Sequence, residues 1–298
     1  MAIKKYVLSA DQQLTEEQIK MIEEAGKRLP VIDDDAPELT DAQLAQMRRA
    51  HESRQADRKG QNVTLSLTPQ AIQKAEAMGK GYNERTTVRP VLTYGDPDAD
   101  VLLVQMVDDH DMEVIEQEVS CIRELTGGQN FCLRAVKVDN WNDDLSPWPA
   151  PAVFGKEDFG GGAEETLAYL LEKVPADHTR RTFIGGYSLA GLFALWAAYR
   201  TDRFDGVAAA SPSVWFPGFT DYMRREEIHA GAVYLSLGDR EEKTRNPVMA
   251  QVGNAIREAR EILTKAGTAC ILVWNQGNHF KEPDIRTAKA FAWLLNRS

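Results

Sequence analysis

The feature that most constrains this chain is a short apolar run followed by a Gly-rich turn and an uncharged helix. Residues 182–184 are typical of a buried strand, and residues 189–199 predict a helix that carries almost no charge. Ser188 lies at the tip of the turn between them. Because strand and helix pass close together at so tight a turn, small residues are needed two positions to either side, and Gly186 and Ala190 supply them. The pattern therefore predicts a strand–turn–helix unit that presents a serine.

This unit matches the nucleophile elbow of α/β hydrolases. In such an elbow the serine hydroxyl projects from the sheet edge, and the amide of Leu189, at the helix N-terminus, points toward any oxyanion formed beside it. Ala190 stands where the usual G-x-S-x-G pattern has its last glycine. The alternative is an ordinary strand-to-helix turn with an exposed serine, and the residues farther along the chain bear on that choice.

Beyond the N-terminal region, apolar runs alternate with helical patterns. Alternation of this kind predicts an α/β fold with a mostly parallel sheet, helices on both faces, and functional sites at the carboxyl ends of strands. Residues 101–106 form a continuous apolar run that is typical of a central, fully buried strand. The other predicted elements are strands 131–138, 204–210, 232–237 and 270–274, and helices 112–125, 163–173, 247–265 and 284–295.

We predict two domains: a helical N-terminal extension over residues 1–87 and an α/β-hydrolase catalytic domain over residues 88–298. In the extension, capping boxes begin two polar helices at Thr15 and Thr40. The alternating residues 62–67 predict a strand added to the edge of the hydrolase sheet. Together with the helix after it, this strand also resembles part of the ribbon-helix-helix antitoxins, which leaves a DNA-binding or regulatory module as a second interpretation.

Composition argues against several classes of partner. The formal net charge of −10 disfavours nucleic acid and anionic membranes. The N-terminal apolar stretch is too short for a signal peptide, and no window is long and uncharged enough to span a bilayer. Three cysteines, scattered without metal-ligand spacing, indicate a reducing compartment. We therefore expect a soluble, cytoplasmic protein whose partners are neither nucleic acid nor membranes.

Two segments invite a metal or cofactor interpretation, and neither carries the required pattern. Residues 33–35 are three consecutive aspartates, but nearby prolines make a solvated linker the better prediction. Residues 160–162 are three glycines before a helix, yet no lysine–serine pair follows them, so they predict a tight turn or hinge rather than a phosphate-binding loop. We expect no metal ion and no cofactor.

A serine hydroxyl is protonated at neutral pH, so Ser188 needs a neighbouring base. The triad of an α/β hydrolase runs in the order serine, acid, histidine, and His279 follows the last predicted strand. Three acids follow the strand before it: Asp239, Glu241 and Glu242. Many hydrolases of this fold carry their acid three residues beyond a glycine at that strand end, which favours Glu241 and leaves the other two open.

The loop after residue 106 is where this fold supplies its second oxyanion donor. The backbone amides of Val107 and Asp108 are the candidates, provided that the aspartates of the loop point away from the developing negative charge. His110 lies in the same loop and is a candidate for substrate contact.

Three tryptophans come at the carboxyl ends of predicted strands: Trp141, Trp148 and Trp215. They suggest a substrate cleft with aromatic walls. For each of them the alternative is packing of a long loop onto the sheet.

Four blocks of sequence carry a resemblance to a known family: residues 145–147 (LSP), 185–192 (GGYSLAGL), 210–215 (ASPSVW) and 277–279 (GNH). Over residues 91–298 the chain resembles the esterase family that includes esterase D and the enterochelin esterases. The resemblance implies a serine hydrolase that cleaves carboxylic esters through an acyl-enzyme, with Ser188 as nucleophile, His279 as base and Glu241 as acid.

The chain departs from that family in its oxyanion loop, where residues 107–110 (VDDH) replace the usual histidine–glycine pair. Some siderophore esterases of the group also use a serine–histidine pair without an acid. A non-catalytic binding protein for a small, siderophore-like molecule on the same scaffold is therefore the alternative to an ester hydrolase.

Overall fold

The structure is a computed structural model, and it describes residues 89–153, 157–174, 179–244 and 246–297. The predictions made for residues 1–87, including the two polar helices and the strand over 62–67, lie outside the described residues. The predicted domain boundary between residues 87 and 88 lies outside them as well.

A mostly parallel β-sheet is the main element of the described residues. The strands are β1 (Val91–Gly95), β2 (Val101–Val107), β3 (Cys132–Lys137), β4 (Pro149–Ala150), β5 (Phe159–Gly160), β6 (Arg181–Tyr187), β7 (Gly206–Ala210), β8 (Ala232–Gly238) and β9 (Ala269–Asn275). Seven of them form one sheet in the order β1-β3-β2-β6-β7-β8-β9, in which only the β1–β3 pair is antiparallel. β4 and β5 form a separate two-stranded ribbon.

Helices cover both faces of this sheet. They are α1 (Asp109–Leu125), α2 (Trp141–Asp144), α3 (Ala163–Lys173), α4 (Ser188–Arg200), α5 (Phe219–Arg225), α6 (Val252–Lys265) and α7 (Pro283–Leu295). Apolar side chains of α3, α4 and α6 form one core with the sheet, and those of α1 and α7 form a second core. The predicted α/β fold, with a mostly parallel sheet and helices on both faces, is confirmed.

Burial explains why the sequences of β2 and α4 contain so few polar residues. Every residue of β2 is buried, as expected for a strand with helices on both sides. In α4, residues 189–199 are all buried, so this helix has no solvent face and its sequence lacks the usual polar stripe. A helix of this kind is held by its surroundings on every side, which fixes the position of its first residue, Ser188.

The prediction was wrong at the start of the helix before β9. We expected a helix from residue 247, but α6 begins at Val252, after a 3₁₀ turn over Met249–Gln251. The side-chain oxygen of Asn246 accepts hydrogen bonds from the amides of Val248 and Met249, which favours a turn over a helix there. The short helix α5 and the β4–β5 ribbon were also not predicted, because neither is long enough to show a hydrophobic period.

Parallel strands bring their carboxyl ends to one edge of the sheet. β2, β6, β7, β8 and β9 end at Val107, Tyr187, Ala210, Gly238 and Asn275. The residues that follow these five positions build the candidate site.

Candidate active site

Ser188 is the first residue of α4, and it adopts a left-handed backbone conformation with φ of 57°. Such a conformation is strained for a residue other than glycine and is concentrated at functional sites. A Cβ added at Gly186 would lie 2.6 Å from Cβ of Ala190. The alanine that replaces the last glycine of the motif is therefore accommodated because position 186 has no side chain.

The structure brings together the three residues predicted as a triad. Oγ of Ser188 lies 2.9 Å from Nε2 of His279, and Nδ1 of His279 lies 2.7 Å from Oε2 of Glu241. Because the carboxylate accepts a hydrogen bond from Nδ1, the neutral imidazole carries its proton there and leaves Nε2 free to accept from the serine hydroxyl. The arrangement has the geometry of a serine nucleophile, its base and an orienting acid.

The neighbouring acids of the same turn have other partners. The carboxylate of Asp239 accepts a hydrogen bond from the amide of Gly277, and that of Glu242 forms an ion pair with Arg257. Glu241 is buried, whereas a solvated turn would expose it. Of the three candidates, only Glu241 contacts the imidazole.

Glu241 is held by more than the histidine. Its second oxygen, Oε1, accepts hydrogen bonds from the amide of Gly238 at 2.7 Å and the hydroxyl of Ser211 at 2.9 Å. The guanidinium of Arg286 donates to the same oxygen at 3.0 Å. These three donors, one of them a buried cation, fix the carboxylate in the orientation that places its other oxygen against the imidazole.

Arg286 is a functional residue that the sequence analysis missed. Its side chain is 1% exposed and comes from α7. Besides Glu241, it donates to the carbonyl oxygens of Gln276 and Asn278, at 3.2 and 3.0 Å. Nothing in the sequence singled it out, because α7 also carries Asp284 and Lys289.

Tyr187 binds the backbone of the loop after β9, which carries His279. Its hydroxyl donates to the carbonyl oxygen of His279 at 2.6 Å and accepts from Arg286 at 3.0 Å. Burial, followed by the charge of Glu241, raises the pKa of Tyr187 to about 12. The phenol therefore keeps its proton, and this hydrogen bond, throughout the neutral range.

Two serines of the 210–215 block reach the site. Ser211, at a positive φ of 41°, supplies the hydroxyl bound to Glu241. Ser213 places its Oγ 3.3 Å from Oγ of Ser188, and its amide donates to the Ser188 carbonyl at 3.0 Å. The block was quoted as part of the family resemblance, but nothing in the residues themselves assigned these hydroxyls a role.

The candidate oxyanion loop begins α1. Asp108 is the N-cap of this helix, and its carboxylate accepts from the amides of His110 and Asp111 at 2.7 and 2.9 Å. Asp109 is paired with Lys137. Both aspartates thus have partners of their own within the described residues.

The two candidates for the second oxyanion donor, the backbone amides of Val107 and Asp108, differ in their surroundings. The amide of Asp108 donates to the carboxylate of Asp111 at 3.1 Å, closing a capping box, so this bond must open before the amide can serve an oxyanion. Val107 ends β2 and is fully buried. At the elbow itself, the amide of Leu189 has no acceptor within the helix because it lies in the first turn. The three oxyanion assignments remain predictions.

Asp111 lies in the first turn of α1 and forms the capping box with Asp108. Burial, followed by the charge of Asp108, raises the pKa of Asp111 to about 6, although the hydrogen bond from the Asp108 amide opposes this. The capping box at the start of α1 therefore changes its charge in the mildly acidic range.

The four residues predicted to contact the substrate are either exposed to solvent or packed against the hydrophobic core. His110 is 75% exposed and lies 3.7 Å from Glu113 on α1. The indole of Trp148 donates to the carbonyl of Pro217 at 2.9 Å and packs among three aromatic rings, so its contacts are those of a loop packed onto the sheet. Trp141 and Trp215 are half-buried against the same core. Substrate contact by these four residues remains a prediction.

Two further features of the described part of the chain concern membranes and metal ions. Over those ranges, no helix combines the length and the apolar character needed to cross a bilayer. In the same ranges, no group of three or more His, Cys, Asp or Glu residues is placed to hold a metal ion.

No protein-family model and no curated protein matches this chain. Among solved structures, the siderophore hydrolase EstA from Aspergillus nidulans is 18% identical with a TM-score of 0.53, and the match covers 79% of this chain and 99% of EstA. An IroE-like serine hydrolase from Shewanella oneidensis is 14% identical with a TM-score of 0.54, over 70% of this chain and 76% of that one. The chain has the α/β-hydrolase fold.

The enterobactin esterase FES from Shigella flexneri shares this hydrolase fold, with 18% identity and a TM-score of 0.50. That match covers 70% of this chain and 56% of FES. At such identities the likeness concerns the fold. What the α/β-hydrolase fold explains here is why a serine after β6, an acid after β8 and a histidine after β9 meet at one edge of the sheet.

Proposed function

We propose that this protein is a serine hydrolase that cleaves a carboxylic ester through an acyl-enzyme intermediate. The observation that carries the proposal is the continuous hydrogen-bonded series Ser188–His279–Glu241, with contacts of 2.9 and 2.7 Å. A solvated serine on an ordinary turn would have no reason to lie against a histidine whose other nitrogen is bound to a buried carboxylate.

In the first half-reaction, Nε2 of His279 takes the proton of the Ser188 hydroxyl while Oγ attacks the ester carbonyl carbon. The carbonyl oxygen becomes an oxyanion beside the amide of Leu189, and Glu241 stabilises the imidazolium that has formed. The tetrahedral intermediate then expels the alcohol oxygen, which receives the proton from Nε2. The product is an ester of Ser188 with the acyl group.

In the second half-reaction, water replaces the alcohol. His279 takes a proton from the water as it attacks the acyl carbon, and it returns that proton to Oγ of Ser188 as the acid leaves. A second oxyanion donor, from the amide of Val107 or Asp108, is part of the proposal. If Asp108 serves, its amide first leaves Asp111.

A non-catalytic binding protein on the same scaffold is the second candidate. The observation that favours it is the bond between the amide of Asp108 and the carboxylate of Asp111, which occupies one of the predicted oxyanion donors. Such a protein would bind a small, siderophore-like molecule at the same sheet edge without turning it over.

Under the proposal, the substrate is a small-molecule ester, and the reaction needs no metal ion or cofactor because Ser188 supplies the nucleophile and His279 carries every proton. We propose a cytoplasmic location on the basis of the sequence. Nucleic acid and membranes are not partners in this account, since the negative net charge disfavours both.

The experiment is hydrolysis of p-nitrophenyl acetate by the wild type, Ser188→Ala and His279→Ala proteins. Triad members act as a unit, so each substitution is expected to reduce kcat by roughly 10⁴- to 10⁶-fold. In the wild type, an initial burst of p-nitrophenol equal to the enzyme concentration would show the acyl-enzyme if its hydrolysis is the slower step. Turnover that survives in Ser188→Ala would contradict the proposal, and folded wild type without turnover would favour the binding protein.

A further inference from the structure

The hydroxyl of Ser213 lies against the proposed nucleophile. Its Oγ is 3.3 Å from Oγ of Ser188, and Ser213 is only 3% exposed. Among the described residues, Ser188 is the one hydrogen-bond partner of this hydroxyl. A buried polar group needs such a partner, because burial removes its hydrogen bonds to water. The two hydroxyl groups therefore share a hydrogen bond at the reacting oxygen, and one of them is the donor.

The histidine determines which hydroxyl donates. Nδ1 of His279 is bound to the carboxylate of Glu241, so the neutral imidazole carries its proton there and Nε2 is an acceptor. Ser188 has a single hydroxyl hydrogen, which it directs toward Nε2 at 2.9 Å. That hydrogen is not available for Ser213. The hydroxyl of Ser213 is consequently the donor, and Oγ of Ser188 is the acceptor.

The backbone on both sides of Ser213 is anchored. Its amide donates to the carbonyl oxygen of Ser188 at 3.0 Å, and its carbonyl accepts from the amide of Phe216 at 3.0 Å. A Cβ added at Gly191 would lie 3.2 Å from Cβ of Pro212, so this loop packs closely on the first turn of α4. Because backbone contacts hold the loop, a substitution of Ser213 removes its hydroxyl without removing these anchors.

A donor at this position acts when the proton leaves Ser188. As His279 takes that proton, negative charge develops on Oγ, and a hydrogen bond to a charged oxygen is shorter and stronger than one between neutral groups. The 3.3 Å separation in the free protein exceeds the usual distance of about 2.8 Å between two hydroxyls. Catalytic hydrogen bonds often shorten only in the reacting complex. The bond from Ser213 therefore becomes stronger as the nucleophile forms.

This contact differs from that of an oxyanion donor. The amide of Leu189 serves the carbonyl oxygen of the ester, whereas the hydroxyl of Ser213 contacts the attacking oxygen itself. Resting on the proposed function, we propose that Ser213 is a further catalytic residue, which donates a hydrogen bond to Oγ of Ser188 and stabilises the negative charge that develops there.

The proposal is tested by the rate at which a fluorophosphonate labels Ser188. The variants are Ser213→Ala and Ser213→Thr, and the control is Ser120→Ala, which removes an exposed hydroxyl of α1. At saturating probe, Ser213→Ala should be labelled about three- to tenfold more slowly than the wild type, as expected for the loss of one hydrogen bond. The probe concentration that gives half of this rate should not change, because the hydroxyl acts on the nucleophile and not on the bound probe.

Ser213→Thr keeps the hydroxyl and should therefore be labelled at a rate closer to that of the wild type. Circular dichroism shows whether each variant is folded before it is labelled. The proposal is overturned if folded Ser213→Ala is labelled as fast as Ser120→Ala. It is also overturned if folded Ser213→Thr is labelled as slowly as Ser213→Ala, since the hydroxyl is then not what matters.

Urea unfolding separates this proposal from the proposed function, because it needs no turnover. The four proteins are the wild type, Ser188→Ala, Ser213→Ala and the double variant. Ser213→Ala should lower the folding equilibrium constant about two- to tenfold more in the wild type than in Ser188→Ala, where the acceptor is already missing. If this difference is found but the wild type takes no label, the hydrogen bond stands and the hydrolase fails. If the wild type is labelled but the two substitutions are additive and Ser213→Ala is labelled equally fast, the hydrolase stands and the role of Ser213 fails.

Discussion

The guanidinium of Arg286 lies 3.0 Å from Oε1 of Glu241, and both side chains are buried. The other oxygen of that carboxylate contacts the imidazole of His279. Arg286 also binds the carbonyls on both sides of Gly277, in the loop that carries the histidine. One buried cation on the C-terminal helix therefore positions both the acid and the base of the site.

Replacing Arg286 with Met should lower the free energy of unfolding by about 3–5 kcal/mol, because it leaves a buried carboxylate without its cation. Arg286→Lys should lose less, since it keeps the charge but cannot reach every acceptor of the planar guanidinium. Urea unfolding measures both, with Arg225→Met, an exposed residue of α5, as the control. A loss of stability for Arg286→Met no larger than that of the control would show that the ion pair does not hold the site.

Glu241→Gln should reduce kcat by roughly 10⁴-fold, because the amide keeps the size of the side chain but cannot stabilise an imidazolium. It also leaves the buried guanidinium of Arg286 without its anion, so kcat is measured under conditions in which circular dichroism shows the variant to be folded. The matched control is Glu242→Gln, which removes a carboxylate one position away that pairs with Arg257 and does not contact His279. Steady-state hydrolysis of p-nitrophenyl acetate gives both values. Equal kcat for Glu241→Gln and the wild type would mean that the serine–histidine pair works without an acid.

Gly186→Ala should destabilise the protein by about 1–3 kcal/mol and shift the elbow, because its Cβ would meet the Cβ of Ala190 at 2.6 Å. Gly231→Ala is the control, since the nearest heavy atom to a Cβ there is 3.8 Å away. Thermal unfolding and ester turnover should both be impaired in the first variant and close to wild type in the second. Gly186→Ala that is as stable and active as Gly231→Ala would contradict the close approach of strand and helix.

Asp111 predicts a dependence of stability on pH. The pKa of Asp111 is raised from 3.8 to about 6, so folding favours the protonated carboxyl. Its contribution is fully present below pH 3.8 and is lost as the pH rises through about 6. Asp111→Asn keeps an acceptor for the Asp108 amide and removes the charge that burial disfavours. It should therefore be more stable than the wild type at pH 7.5, by on the order of 2–3 kcal/mol. Urea unfolding at pH 4.5 and 7.5 measures this, and a difference that does not change with pH would contradict it.

The parts of the site that depend on local pattern could be predicted from the sequence. The elbow shows itself in the small residues around Ser188, and the strand ends place Glu241 and His279 because parallel strands end at one edge of a sheet. The uncharged helix and the central strand were recognisable because burial on every side leaves a sequence without a polar stripe.

The supporting residues could not be predicted, because their roles come from contacts between distant segments. Arg286 and Glu241 are 45 residues apart, and Arg286 and Tyr187 are 99 apart. A buried arginine has the same sequence signature as a solvated one, and only the packing of α7 against the strand ends shows which it is. The occupied amide of Asp108 is likewise visible only in the geometry of the capping box.

The central claim is that Ser188 is an activated nucleophile, and active-site labelling measures this most directly. Wild type and Ser188→Ala would be treated with a fluorophosphonate probe and digested, and the labelled peptide located by mass spectrometry. The account predicts one label on Ser188 in the wild type, its absence in Ser188→Ala and much slower labelling in His279→Ala. Folded wild-type protein that takes no label, or takes it on another residue, would contradict the account.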